Sequence, residues 1–408
     1  MGKQDSRYRW IVLVVTLLVY FLIISQRTAP GVITDQLMIE FQVSATIIGL
    51  MSSFQFFAYA GLQIPIGLLS DRYGPNLFLI IGTLLTGLGS IMYSFADNSF
   101  LLIFSRLIVG TGDAMIFVNL ISILSQWFRT KEFVKLMGFV SLVASLGLLT
   151  ATLPLSTWIE FSGWRTPFLI IGTIIVLSAI LLYFVLVKKT QQLLLDEIHK
   201  EKRGSVKDVV KKTFSTRQAW ATFFCHFGIF GTYIGFIGSW GVPYGIHVFD
   251  LSLSNASQLM MVGLFGAIIG GFLISWITRR QDSIKKVYRF FHLLVFLSWL
   301  MIFLSGTKPP IIVIIFLFFL IGLGNGVSAL TFAVVRKTFS QNEVGVVSGF
   351  ANTGGFLSAV LLPMLFGKVI DFFPTDEMHI ALHHSLIIPL TFSFVGLVGV
   401  LMIREETI

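Results

Sequence analysis

Long runs of apolar residues, separated by short polar stretches, occupy almost the whole chain. Twelve runs are long enough to cross a bilayer, because a transmembrane helix needs about 20 predominantly apolar residues. They cover residues 9–33, 45–69, 77–96, 100–125, 134–156, 166–187, 218–246, 254–277, 287–306, 310–333, 344–367 and 379–403. The pattern predicts an all-α polytopic membrane protein with twelve transmembrane helices. The first run has no small-residue cleavage site and eleven more follow it, so no cleavable signal peptide is expected.

One polar segment, Lys188–Arg217, is much longer than the others and divides the runs into six and six. This division predicts a six-helix bundle at residues 1–187, a linker at 188–217 and a second six-helix bundle at 218–408. Within the linker, apolar residues recur at helical spacing over 206–214, which predicts a short helix at the membrane surface. We expect the rest of the linker to be solvated, with its basic residues attracted to anionic lipid.

Matching residues in the two halves indicate an internal duplication. Four identical pairs share one offset of 211 residues, and they follow the fourth and tenth runs. The pairs are Phe128/Phe339, Glu132/Glu343, Gly138/Gly349 and Phe139/Phe350. Four matches in register at equivalent places favour duplication over chance, and repeated halves are a common feature of secondary transporters.

The distribution of basic residues predicts the orientation of the chain. Of the 29 Lys and Arg residues, 24 lie in segments that are cytoplasmic if both termini are, and three lie in segments on the other side. The remaining two, Arg27 and Arg106, lie inside runs. Because cytoplasmic loops of membrane proteins carry the excess of basic residues, we predict cytoplasmic termini. The net charge of +9 then records topology, and no nucleic-acid partner is expected.

Composition narrows the class of protein further. The chain is 55% hydrophobic and only 12% charged, against roughly 25% charged residues in a soluble domain. This excludes a soluble enzyme, a disordered protein and a nucleic-acid-binding domain. The single cysteine, Cys225, excludes an intrachain disulfide and a multi-cysteine metal site. No metal-site spacing and no phosphate-binding loop is found, so we expect no metal, no cofactor and no ATP-driven transport.

Three charged residues lie deep inside predicted spans: Arg27, Arg106 and Asp113. A charge at the centre of a membrane helix costs at least about 2.5 kcal/mol, so each needs a partner or a wet cavity. The guanidinium of arginine is planar and permanently charged, and its paired donors suit an anionic group. For Asp113, burial disfavours the ionised carboxylate, whereas a nearby arginine favours it. The alternatives are that Arg27 reaches the outer interface, that Arg106 is a structural latch, and that Asp113 forms a fixed ion pair with either arginine.

Neutral polar residues within the spans are weaker candidates for a substrate site. Gln55 and Tyr59 lie four residues apart on one stripe of the second span, and Asn119 lies in the fourth. Tyr233 and Asn352 are the candidates in the second half. The alternative is that the amides form interhelical hydrogen bonds, which is the ordinary role of such groups in membranes, and that the tyrosines anchor the chain at the lipid interface.

Two motifs resemble signatures of the major facilitator superfamily. Residues 67–75 read Gly-Leu-Leu-Ser-Asp-Arg-Tyr-Gly-Pro, and the fourth span contains Arg-Leu-Ile-Val-Gly-Thr-Gly. The resemblance implies two six-helix bundles that rock around a central cavity, with Gly67, Asp71, Arg72 and Gly74 forming a conformational motif. We expect Gly67 to allow a close helix approach and Gly74 a tight turn. Asp71 is expected to lie at a helix N-terminus or to pair with a basic residue.

Within this superfamily the chain resembles the anion:cation symporter group, whose members transport sugar acids, sialic acid or vesicular glutamate. Arg27 in the first span, and Arg106 with Asp113 in the fourth, carry that resemblance. It implies that Arg27 binds a carboxylate of the substrate and that Arg106 and Asp113 couple transport to protons. Many members have Asp before the first arginine, whereas this chain has Gln26, which leaves the proton stoichiometry open.

We therefore expect a monomeric secondary active transporter of a small organic anion, coupled to protons and located in a bacterial inner membrane. Two alternatives remain open, a drug or siderophore efflux pump and an amino-acid transporter. Drug/proton antiporters of the superfamily usually carry a glycine-rich motif in the fifth span that ends in Gly-Pro. This chain resembles only half of that motif, because Gly138 and Gly147 are present but Ala151-Thr152 stands in place of Gly-Pro.

Overall fold

The computed structural model describes residues 6–188, 206–277 and 283–404. All regular elements in these ranges are helices, and twelve segments are long and apolar enough to cross a membrane. These twelve segments overlap all twelve predicted runs, so the predicted all-α membrane fold is confirmed. The α-helices are α1 Arg9–Arg27, α2 Thr34–Phe41, α3 Ala45–Tyr73, α4 Pro75–Ser94, α5 Ser99–Ala114, α6 Ile116–Trp127, α7 Thr130–Thr150, α8 Leu153–Ser162, α9 Arg165–Tyr183, α10 Val206–Ser215, α11 Arg217–His226, α12 Thr232–Ile237, α13 Gly241–Phe249, α14 Leu253–Ile277, α15 Ile284–Leu304, α16 Ile311–Gly326, α17 Leu330–Thr338, α18 Gln341–Ile370, α19 Met378–Ser385 and α20 Ile387–Met402.

Several spans are interrupted along their length, among them the first, fourth, seventh and tenth. The first span continues past α1 as a 3-10 turn at Ala29–Val32, and the fourth is broken at Met115 between α5 and α6. The seventh contains a π turn at Phe227–Gly231, and the tenth contains a 3-10 turn at Val327–Ala329. Interrupted membrane helices are tolerated where protein or water satisfies the freed backbone groups. The breaks in the first and fourth spans lie beside Arg27 and Asp113.

The described residues form two compact units. The first unit contains the chain up to Pro30 and then from Phe54 onwards to the linker, and the second contains Gly31–Ser53 and the chain after the linker. The core of the first unit is aliphatic and aromatic, with Ile123 and Trp127 among its buried residues. The bundles at 1–187 and 218–408 stay a prediction, and Gly31–Ser53 is grouped with the second unit. Most of the linker lies outside the described residues, and its last part forms helix α10, as the spacing over 206–214 predicts.

The paired glutamates of the duplication have the same structural role in both units. Glu132 and Glu343 each lie in the first turn of a helix, where one carboxylate oxygen accepts the backbone N–H of the N-cap residue at 3.1 Å. Such a contact satisfies a backbone donor that the helix leaves unpaired. Each carboxylate also pairs with a cation near the start of the first span of its own half, since Arg9 is the first residue of α1 and Lys212 lies on α10, just before α11. Glu132 pairs with Arg9 at 3.1 Å, and Glu343 pairs with Lys212 at 2.5 Å.

Candidate functional site

The carboxylate of Asp113 is the centre of a buried polar cluster in the first unit. Asp113 is the second-last residue of α5, just before the break at Met115, and its side chain is 2% exposed. Its Oδ2 atom lies 3.2 Å from Nε of Arg27 and 3.5 Å from the amide nitrogen of Gln55. The hydroxyl of Thr86 donates to Oδ1 at 3.3 Å. Both carboxylate oxygens therefore have partners, which a charge in this position requires.

Two glycines next to Asp113 allow the neighbouring helices to reach it. A Cβ atom at Gly110 would lie 2.1 Å from the backbone oxygen of Gln55 on α3. A Cβ atom at Gly112 would lie 2.6 Å from the backbone nitrogen of Thr86 on α4. Small residues let membrane helices approach closely, and here the close approach brings the side chains of Gln55 and Thr86 within reach of the carboxylate.

The guanidinium of Arg27 connects this carboxylate to an aromatic ring. Arg27 is the last residue of α1, and the 3-10 turn at Ala29–Val32 follows it, so the span continues beyond the arginine. Its guanidinium carbon lies 5.0 Å from the centroid of the Tyr59 ring, a cation–π distance. The side chain is 14% exposed, and Nη2 finds no hydrogen-bond partner among the residues that the structure describes. Nη2 of Arg27 is thus a donor for which no described residue supplies an acceptor.

The balance of charge in this part of the molecule favours an anion. Asp113 supplies one negative charge, Arg27 neutralises it, and Arg106 adds a second buried guanidinium. An anion that binds Nη2 of Arg27 must share the guanidinium with Asp113.

Arg106 lies in an aromatic pocket, and its guanidinium does not contact Asp113. The residue is fully buried, and the guanidinium carbon lies 3.7 Å from the centroid of the Tyr93 ring and 5.2 Å from that of Phe168. Its nitrogens find no hydrogen-bond acceptor of good geometry within the described parts of the chain. A desolvated cation–π contact is worth about 2 kcal/mol, so the aromatic faces offset part of the cost of this buried charge.

The structure does not bring Asn119 into the Asp113 cluster. Its carboxamide oxygen accepts the hydroxyl of Ser70, and its amide nitrogen donates to the backbone oxygen of Met115 at 2.6 Å. The bond from Ser70 thus joins α3 to α6, whereas the bond to Met115 stays within the fourth span. This arrangement is the interhelical hydrogen bonding that the sequence leaves open as an alternative.

The two candidates of the second unit lie in different surroundings. Tyr233 is buried beside a small apolar cavity that Phe236, Trp299 and Phe318 also line. Asn352 is half-buried, and its side chain is hydrogen-bonded to the ring of His226. Of the two, only Asn352 therefore belongs to a polar cluster.

The loop motif has one of the two features expected of its glycines. Gly74 has φ 93°, a conformation that glycine adopts without strain, and it forms the turn between α3 and Pro75 at the start of α4. The close approach expected at Gly67 is not present, because a Cβ atom there meets no described atom within 4 Å. Arg72 is exposed and lies against the ring of Tyr73 at 5.2 Å. Asp71 lies in the last turn of α3 and not at the N-terminus of a helix, and its side chain is outside the described part of the structure.

Thr86 is the member of the cluster that the sequence analysis does not single out. It lies on α4 between Gly82 and Ser90, at steps of four residues, and the structure buries all three positions. A stripe of small and polar residues on an otherwise apolar span is the signal for a helix face that packs on polar neighbours. Threonine is frequent enough in membrane helices that this signal alone does not identify a site.

Twelve helical spans in two units, with a buried guanidinium–carboxylate pair beside helix breaks, define a polytopic membrane transporter. The chain matches the Major Facilitator Superfamily over residues 16–363, and it belongs to that family. It is 25% identical to a probable sulfoacetate transporter of Cupriavidus necator over 390 residues, which is 90% of this chain and 89% of the relative. It is 24% identical to a probable galactarate/D-glucarate transporter of Escherichia coli K12, with 90% of each chain covered.

Other relatives and solved structures agree with this assignment. A hexuronate transporter of Bacillus subtilis is 23% identical, and the match covers 85% of this chain and 84% of the relative. The fold is similar to that of a bacterial homologue of the human lysosomal transporter Spinster, with a TM-score of 0.76, 18% identity and 98% of each chain covered. The nucleoside transporter NupG gives a TM-score of 0.73 at 15% identity, with 98% of this chain and all of the other covered. At these identities the solved structures show the shared fold alone.

Proposed function

We propose that the protein transports a small organic anion by alternating access and couples this movement to protons. In this proposal Arg27 binds the acidic group of the substrate, and Asp113 exchanges a proton as its contact with Arg27 is made and broken. The single observation that carries the proposal is the shared guanidinium, with Nε on Asp113 and no acceptor for Nη2 among the described residues.

The charges of the cluster favour symport over exchange. With Asp113 ionised, Arg27 is already neutralised at 3.2 Å, and an arriving anion meets a competing carboxylate. With Asp113 protonated, the same anion meets an uncompensated guanidinium. Proton and anion therefore bind more strongly together than separately, which is the requirement for moving both in one direction.

The substrate class receives support from the relatives. The names of the three relatives described above refer to sulfoacetate, galactarate or glucarate, and hexuronate. All of these are small molecules with a carboxylate or a sulfonate, and the guanidinium of arginine can donate two parallel hydrogen bonds to two oxygens of either group. Tyr59 and Gln55 are the side chains that we propose to contact the rest of the substrate.

The orientation follows from the basic residues. Because 24 of the 29 Lys and Arg residues lie on one side of the predicted topology, we propose a bacterial inner-membrane protein with both termini in the cytoplasm. The unit of transport is proposed to be the monomer.

The experiment is uptake into proteoliposomes of the purified protein under an inward proton gradient. Radiolabelled sulfoacetate, glucarate and glucuronate form the panel, with ethidium and a neutral amino acid added for the two alternative functions. Saturable, gradient-dependent accumulation of one acid is the expected result. Transport of ethidium or of the neutral amino acid, with none of the acids, would overturn the proposal.

Variants of Arg27 test its assigned role. Arg27→Gln is expected to lower kcat/KM by at least about 30-fold, because losing one partner of a buried charged contact costs 2 kcal/mol or more. Arg27→Lys keeps the charge and loses the fork, so an intermediate effect is expected. The exposed Lys308→Ala serves as the control and is expected to match the parent. Normal uptake by folded Arg27→Gln protein would refute the assignment.

A double variant separates binding from folding. Arg27→Gln leaves Asp113 buried without its cation, which is destabilising in itself. Arg27→Gln combined with Asp113→Asn removes both charges and is expected to restore the melting temperature without restoring anion uptake. Recovery of uptake in the double variant would show that Arg27 serves folding alone.

A further inference from the structure

The segment Gly31–Ser53 joins the first span to the second and packs within the second unit. The hydroxyl of Thr34 donates to the backbone oxygen of Ser239 at 2.8 Å, and that of Ser52 to Gly238 at 3.5 Å. A Cβ atom at Gly49 would lie 2.2 Å from the backbone oxygen of Pro363, so the backbones are in direct contact. By the predicted orientation these contacts lie at the outer ends of the spans.

An ion pair fastens one end of this segment. Nε2 of His247, near the end of α13, lies 3.0 Å from Oδ2 of Asp35 in the first turn of α2. The two side chains are 32% and 19% exposed, so the pair is accessible to the aqueous phase and is screened only in part. Both residues lie beyond the ends of the membrane spans.

A second carboxylate fastens the other end without any titratable partner. Asp371, which follows α18, accepts the backbone N–H groups of Ala45 at 2.9 Å and Thr46 at 3.0 Å, together with the hydroxyl of Thr46. These are the unpaired donors at the start of α3, where a negative charge is also favoured by the helix dipole. Of the two fastenings, the one at His247 is the one whose strength depends on the protonation of a histidine.

The charges that act on His247 come from two acidic residues. Asp35 faces it from α2, and Asp250 lies at the C-cap of its own helix. Helix α14, which packs against α13, contains no charged residue, and the histidines of α19 are not among the groups that act on the ring in the described structure. The hydrogen bond and charge of Asp35, with a smaller effect of Asp250, raise the pKa of His247 above its ordinary value of 6.5 despite partial burial.

We propose that Asp35 and His247 form a pH-sensitive latch that holds the segment Gly31–Ser53 against the second unit. Opening of the outer side requires this segment to leave, since it is continuous with the first and second spans. The inference therefore rests on the alternating access proposed above, and it adds a control of that step by the pH of the outer compartment. It is independent of the identity of the substrate.

The direction of the pH effect follows from the sign of the shift. Contact of the segment Gly31–Ser53 with the second unit favours the protonated ring of His247. The latch therefore stabilises this contact fully below the ordinary histidine pKa of 6.5, and the stabilisation is lost as the pH rises through the raised pKa. Acid outside therefore holds the latch closed, and mildly alkaline solution releases it.

Cysteine labelling measures the latch directly. Cys225→Ser removes the only cysteine, and Ser52→Cys then places a thiol at the buried contact with Gly238. A membrane-impermeant maleimide is applied from outside at about pH 5.5 and about pH 8.5, which bracket histidine titration. Each rate is divided by that of an exposed thiol, Ser162→Cys, which corrects for the pH dependence of thiol chemistry.

The normalised labelling rate is expected to rise about two- to fivefold between pH 5.5 and pH 8.5. This is about the factor by which the loss of a partly exposed ion pair shifts an equilibrium. His247→Gln keeps a donor but does not titrate, and Asp35→Asn removes the acceptor charge, so both are expected to abolish the rise. Glu40→Gln makes the same charge change on the exposed side of α2 and is expected to retain it.

Two other outcomes overturn the inference in different ways. A rate that does not change with pH in the parent, or a rise that persists in His247→Gln, refutes the latch and leaves alternating access intact. No labelling of Ser52→Cys at either pH in any variant shows that the segment never leaves, which refutes the latch and the proposed alternation together.

Discussion

Replacement of Asp113 by asparagine isolates the charge at the centre of the candidate site. Asparagine keeps the shape of the side chain and can still accept the hydroxyl of Thr86, which lies 3.3 Å from the carboxylate. The change removes the negative charge beside Arg27 and makes the position unable to exchange a proton.

The size of the perturbation follows from the distance between the charges. With Nε of Arg27 3.2 Å from Oδ2 of Asp113, the charge centres are about 4 Å apart, and the attraction is about 4 kcal/mol at an effective dielectric constant of 20. Breaking a buried pair by removing one partner costs a similar 3–5 kcal/mol. Asp113→Asn is therefore expected to lower the melting temperature, and a bound anion is expected to recover most of the loss.

Transport separates the coupling role from the binding role. One proton per anion under a gradient of two pH units drives accumulation of up to about 100-fold, since each pH unit is worth about 1.4 kcal/mol. Asp113→Asn is expected to reduce this accumulation to equilibration, while exchange of external for internal anion continues because Arg27 remains. The exposed Asp97→Asn is the matched control and should behave as the parent.

Two results would refute this reasoning. Gradient-driven accumulation by Asp113→Asn would show that the coupling proton binds elsewhere. Loss of exchange together with loss of accumulation, in protein that binds the anion normally, would show that Asp113 controls the conformational change and not the proton.

Two further predictions concern the surroundings of the pair. Gly110→Ala places a Cβ atom 2.1 Å from the backbone oxygen of Gln55 and is expected to prevent normal packing of α5 on α3. The expected result is a low yield of folded protein in size-exclusion chromatography. A monodisperse, stable variant would contradict this prediction. Arg106→Lys loses the flat contact with the Tyr93 ring, worth about 2 kcal/mol when desolvated, and is expected to melt at a lower temperature than Arg106→Met, which keeps the volume and buries no charge. Equal melting temperatures of the two variants would contradict the aromatic-pocket account.

The fold is predictable from the sequence because the bilayer imposes one simple requirement. Each span must bring about 20 apolar residues into the hydrocarbon region, so the spans are visible without any tertiary information. The interruption of the fourth span at Met115 is not visible in the same way, because methionine favours a continuous helix. That break depends on how α5 and α6 pack, and it places Asp113 at the end of a helix.

The deep charges are predictable, but their partners are not. The cost of burial identifies Arg27, Arg106 and Asp113 from the sequence. The spacing of Arg106 and Asp113 suggests that they share one face of a helix. In the structure, however, Asp113 pairs with Arg27, which is 86 residues away along the chain. The pocket of Arg106 is formed by rings on α4 and α9, whose approach depends on tertiary packing.

The segment Gly31–Ser53 shows the limit of sequence reasoning most clearly. By order along the chain it belongs to the first six spans, and by contacts it belongs to the second unit. The residues that fasten it, among them Asp35 and His247, are 212 positions apart, and no pattern along the chain connects them.

Proton uptake on anion binding tests whether the anion and Asp113 compete for Arg27. Because they are proposed to compete, purified protein in weak buffer is expected to take up about one proton per anion bound at a pH where the carboxylate is ionised. Asp113→Asn is expected to bind the anion with no proton uptake. Anion binding without proton uptake by the parent, or equal uptake by both proteins, would contradict the account.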